Sequence, residues 1–106
     1  MNQSRREKIE AMLAEEPGDV FLRYSLAMEM ASTGEQDGAL ELFDALTREE
    51  PPHVPAFFRC GQLLAESERV DEARDYLRRG IEAARQQGDL HAAAEMSELL
   101  ADLGQQ

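Results

Sequence analysis

The sequence predicts an all-α chain of about six helices, stacked as antiparallel pairs into a superhelix. Three observations predict it. Apolar and small residues recur at three- and four-residue spacing, through Leu26, Ala27 and Met30 and again through Ala39 and Phe43, so each segment has one buried helical face. Turn-forming residues separate these runs at Pro17-Gly18, Gly34, Pro51-Pro52 and Gly88. The pattern then returns 34 residues on, where Ala73 and Leu77 stand for Ala39 and Phe43. A period of that length is the mark of helix hairpins that can bury their apolar faces only by stacking.

Residues 4–16 form the first helix. Ile9, Met12 and Leu13 line one side, charged residues surround them, and Pro17-Gly18 stops the run. This helix is expected to cap the front of the stack. Residues 20–51 make the first repeat: Asp19 caps a helix reaching about Thr33, Gly34 suits its left-handed close, and a second helix with Asp37 in its first turn runs to about Glu50, where Pro51 forbids continuation. Residues 54–87 repeat the hairpin. Pro55 is tolerated in a first turn, and Asp71 and Glu72 favour the start of the partner helix. Gly80 inside that helix costs about 1 kcal/mol relative to Ala and implies close packing. Residues 89–104, with Met96, Leu99, Leu100 and Leu103 on one side, form a C-terminal capping helix.

The two copies read Leu26-Ala27-x-x-Met30, Gly34, Ala39-x-x-x-Phe43, Pro51 and Phe57-x-x-Cys60-Gly61-x-x-Leu64, Ala73-x-x-x-Leu77. This resembles the tetratricopeptide repeat family over most of the chain. Arg23, Glu68 and Arg85 depart from it, standing where the family has a large aromatic, a turn Gly and the closing Pro. The shared positions have their own physical sense. A side chain beyond Cβ at Ala27, Gly61, Ala39 or Ala73 would hold paired helices apart. Phe43 and Leu77 fill the space between them, each contributing roughly 1.5–3 kcal/mol on burial.

The 106 residues suit one domain. With 22 acidic against 11 basic residues the net charge is −11, which disfavours nucleic acid and anionic membrane surfaces and favours basic or neutral protein partners. The single cysteine, Cys60, has no internal disulfide partner and sits in an apolar helical setting, which reads as a small buried hydrophobe. Residues 1–10 lack the apolar run of a secretory signal, and no stretch approaches the ~20 apolar residues of a membrane span. The expected location is cytoplasmic.

Nothing in the chain points to catalysis. Phosphate-binding loops, G-x-S-x-G and H-E-x-x-H patterns are absent, and His53 and His91 lie far apart without neighbours at ligand spacing. No cofactor or metal is expected, and the histidines read as surface or turn residues. Arg74, Arg78 and Arg79 share one side of the fifth helix, either as a receiver of acidic partners or as a solvated face paired with Asp75 and Glu82.

The resemblance implies a concave surface lined by the first helix of each pair. On matching positions the first pair offers Phe21, Tyr24, Met28, Ala31 and Ser32, and the second Phe58, Gln62, Ala65 and Glu66. The last helix offers His91, Ala94, Glu98 and Ala101. Tyr24, Met28, Phe58 and Gln62 occupy the places where chaperone-binding members carry Lys, Arg and Asn for a terminal carboxylate, so that clamp is not expected. Two readings of Tyr24, Met28 and Phe58 stay open: they take an apolar anchor from a partner peptide or amphipathic helix, or they pack between neighbouring helices. The expected function is a non-catalytic protein-interaction module. A self-associating module meeting a second copy through the flank of the Ile9 or Leu100 helix, and a non-catalytic subunit or regulator of an enzyme, are the alternatives.

Overall fold

The structure, a computed structural model, describes residues 4–104. Six helices follow one another: α1 (Arg5–Glu15), α2 (Val20–Ser32), α3 (Gln36–Thr47), α4 (Val54–Glu66), α5 (Val70–Gln86) and α6 (Leu90–Leu103). No strand occurs among the described residues. Each helix packs on the next, and α6 also reaches back to α4, giving an elongated stack of 48 × 29 × 19 Å.

Local chemistry sets the helix ends. Ser4 and Glu7 form a capping box at α1, and the Asp19 and Asp89 carboxylates accept from the backbone N–H groups of Leu22 and Ala92 at 2.8 and 3.1 Å. Gly34 and Gly88 take positive φ (85° and 75°) after α2 and α5, where a Cβ would be strained. At the equivalent place after α4 the chain has Glu68, and it adopts φ 62° nonetheless. The missing glycine leaves the turn geometry unchanged and adds strain. Helix α3 stops at Thr47, three residues before the expected Glu50; the Thr47 hydroxyl donates to the Asp44 carbonyl and Leu46 gives its carbonyl to the His53 N–H. These bonds turn the chain toward α4 ahead of the prolines.

Two buried clusters make the core, and both run through α4. Toward the first pair, Ala56, Cys60 and Leu63 meet Ala27, Ala39, Phe43 and Leu46. Toward the second, Val54, Phe57 and Leu64 meet Leu77, Ile81 and Met96. Leu40 and Tyr76 border both clusters. Phe43 and Leu77 are fully buried, as the repeat register requires. Burial in the first cluster pushes the Cys60 thiol up to about 12, so it is an inert apolar filler.

The small residues mark the closest approaches. A Cβ on Gly61 would lie 2.6 Å from Leu77 Cδ2, and one on Gly80 would lie 2.5 Å from both Met96 Sδ and Phe57 Cβ. The cost of Gly80 in a helix is thus offset by letting α5 sit against α4 and α6 together. The Tyr76 hydroxyl donates to Asp44 Oδ1 at 2.6 Å, tying α5 to α3; burial first, and this bond second, push its pKa up to about 12. Helix α1 packs on α2 through buried Ile9, with Arg6 paired to Glu35 and Arg5 to Glu29 at 3.3 Å.

Two substitutions test this packing. Gly80→Ala should lower stability by about 1–3 kcal/mol through overpacking against Phe57, although Ala is the better helix former; a raised urea midpoint would contradict the close approach. Glu68→Gly should raise stability by about 0.5–1 kcal/mol, read as a higher urea midpoint, because it removes the left-handed strain at that residue.

Candidate functional site

Helix α4 has a third face that the two clusters cover only in part, with Phe58 packed against the edge of the second. Pro55, Phe58, Arg59, Gln62 and Glu66 run along it at helical spacing, with α2 on one side and α6 on the other. Two depressions lie on this surface. One brings Tyr24 together with Phe58 and Arg59 and, across from them, with Asp89, His91, Ala92 and Glu95, over the buried Val54 and Met96. The other sets Met28, Ala31 and Ser32 of α2 against Gln62 and Glu66, over the buried Phe43 and Leu63. Arg59 borders both.

Tyr24 holds this surface in place. Its ring meets Phe43 edge-on at 5.5 Å and His53 at 5.0 Å between centroids, and its hydroxyl accepts from Arg59 Nε at 3.1 Å. Arg59 in turn donates through Nη1 to Gln62 Oε1 at 2.9 Å. Tyr24 therefore packs between helices, as Met28 and Phe58 also pack against the core clusters, and all three border a depression. His53, the residue before α4, is half-buried rather than a surface histidine. Its Nε2 is buried with no hydrogen-bond partner among the described residues, and desolvation holds its pKa below the ordinary value.

The sequence-predicted residues divide. Tyr24, Phe58 and His91 come together at the first depression, and Met28, Gln62, Ala31, Ser32 and Glu66 at the second. Phe21 borders neither and is 73% exposed. It lies a turn before Tyr24, which already packs on the residue preceding α4, so α4 does not extend to its level. Glu98 also falls outside, with Ala94 and Ala101, and all three are exposed. Glu98 shares a side of α6 with His91 but stands about two turns further along, beyond the residues that line the depression, while Ala94 and Ala101 lie roughly 140–160° around the helix from the buried Met96. Ala92 and Glu95 take the groove side instead.

Arg59 went unassigned in the repeat register, which aligns it with Ser25. The signal was its place beside Phe58 and one turn before Gln62. The expected arginine row on α5 is dispersed: Arg79 pairs with Asp75 at 3.0 Å and lies over Tyr76 at 4.5 Å, and Arg74 bonds Asp71 and the Leu103 carbonyl, each at 3.0 Å. Glu82 takes no arginine and accepts from Gln86. Among the described residues no three metal-ligating side chains cluster, and no helix is long and apolar enough to cross a membrane.

A family profile described as tetratricopeptide repeat matches residues 30–103. Among solved structures, the chain is similar to a tetratricopeptide repeat domain protein from Salinibacter ruber in solution, with 32% identity and a TM-score of 0.77 over 82% of this chain and 88% of that one. A crystal structure of such a protein from the same organism gives 31% identity and a TM-score of 0.75 over 81% and 96%. A protein from Bordetella parapertussis gives 28% and 0.84 over 98% and 90%. No curated protein matches the chain significantly.

His53 predicts a pH effect. With its folded pKa depressed, the unfolded chain takes up the proton first, so stability falls as pH drops from about 7 through the ordinary histidine value near 6.5 and on toward the folded pKa. Denaturant midpoints of His53→Phe should decline less than wild type over that window. Equal declines would place the sensitivity elsewhere.

Proposed function

The chain belongs to the tetratricopeptide repeat family, whose fold generally serves contact between proteins rather than catalysis, and from that premise we propose that it captures a peptide or amphipathic helix of a partner protein in the groove along α4. The observation that carries the reading is the pair of depressions lined by Tyr24, Phe58 and His91 and by Met28 and Gln62. Aromatic and thioether side chains at the rim suit apolar anchors, since they offer large adaptable contact area. The acid excess of the chain favours a basic or neutral partner approaching from solution.

Self-association through α1 has less to offer. Ile9 is spent in the contact with α2, leaving Met12 as the exposed large apolar residue of that helix. On α6, Leu99 and Leu100 are packed against the second cluster.

Replacing Tyr24 and Phe58 together by Ala should weaken peptide capture by at least about tenfold, since interface aromatics carry a large share of binding energy. Titration of a selected peptide by fluorescence anisotropy measures it, with circular dichroism as the control for folding. Undiminished affinity in a folded double variant would place binding elsewhere.

A further inference from the structure

The charges along the groove alternate. Glu66 stands at the second depression, Arg59 between the two, and Asp89 and Glu95 at the first. Arg59 is unusual in this acidic chain. Of the described arginines with no carboxylate within salt-bridge distance, Arg78 and Arg85 are exposed, and Arg59 alone is half-buried. Its two hydrogen bonds go to neutral acceptors, the Tyr24 hydroxyl and the Gln62 amide. They fix the plane of the guanidinium and leave Nη2 without a partner among the described residues.

A partly desolvated guanidinium gains more from a carboxylate than from a neutral acceptor, because the hydrogen bond is charge-assisted, and with Nε and one Nη1 proton engaged the donors open to it are Nη2 and the second Nη1 proton. The chain's net charge of −11 repels a uniformly acidic segment, so a carboxylate reaching Arg59 needs positive neighbours to carry it there. Glu66 on one side and Asp89 and Glu95 on the other are placed to receive those neighbours, Asp89 while one of its oxygens caps α6 and Glu95 in competition with His91 Nε2 at 3.3 Å.

We infer that the groove selects a partner segment of fixed charge order: one side-chain carboxylate that pairs with Arg59, an apolar side chain on each side of it entering the two depressions, and Lys or Arg beyond these facing Glu66 at one end and Asp89 and Glu95 at the other. The inference rests on the groove reading above and adds the partner's chemistry to it. Arg59 is its specificity-determining residue. Tyr24 and Gln62 position the guanidinium, so an aromatic that binds an apolar anchor also orients the group that reads charge.

Selection from a displayed library of random peptides tests this, using wild type, Arg59→Glu, Arg59→Gln and the Tyr24→Ala/Phe58→Ala variant, each checked for folding by thermal melts. Wild type should enrich Asp or Glu between two large apolar residues with Lys or Arg outside them. Arg59→Glu should enrich Lys or Arg at the central position and bind the wild-type consensus peptide about tenfold to a hundredfold more weakly. Arg59→Gln should lose the acidic preference without acquiring a basic one. The same central residues selected by wild type and Arg59→Glu would overturn the charge reading and leave the groove standing. No enrichment by wild type, or enrichment indifferent to the loss of Tyr24 and Phe58, would overturn the groove and the inference with it.

Discussion

Burial of α4 on two sides is the constraint that the rest of the molecule depends on. Val54, Phe57 and Leu64 belong to one cluster, and Ala56, Cys60 and Leu63 to the other. A helix hairpin of this size cannot keep an apolar face from water alone, so the first and second pairs are stable only because α4 serves both. The small residues allow the double contact. Gly61 admits Leu77 from one side, and Gly80 admits Phe57 from the other, which brings the helices to a separation that no larger residue at either place would permit.

The groove is a by-product of that arrangement. Once two faces of α4 are committed to the core, the strip from Pro55 to Glu66 is what remains, and its neighbours are whatever α2 and α6 present across it. The surface consequently mixes apolar side chains such as Met28 and Phe58 with polar ones such as Arg59 and Gln62. Tyr24 joins the two regimes, with its ring against Phe43 and His53 and its hydroxyl bonded to Arg59. Disturbing His53 would reach the groove through this ring, whereas Phe43 also floors the second depression directly.

Charge is distributed by the same logic. Most arginines satisfy themselves locally, with carboxylates three or four residues away or on an adjoining helix, and such exposed pairs stabilise by tenths of a kcal/mol. They absorb the basic residues that a sequence reading would otherwise offer to a partner, as Arg74 and Arg79 show. Arg59 keeps neutral company because it lies where Tyr24 and Gln62 are closer than any carboxylate.

The sequence by itself determined the class of fold, the helices and their order, since these follow from periodicity, caps and turn residues acting within a few positions of one another. It also determined the central packing residues, Phe43, Leu77 and the small residues opposite them, because the 34-residue register repeats the contact each makes. What only the tertiary structure decided is the rotation and reach of one helix against another. Phe21 shares a helical face with Tyr24 yet lies beyond the reach of α4, and Glu98 shares a side of α6 with His91 yet lies about two turns beyond the depression. Arg59 enters the groove between two aligned positions. Those outcomes depend on side chains distant in sequence meeting at one place, which local spacing does not encode.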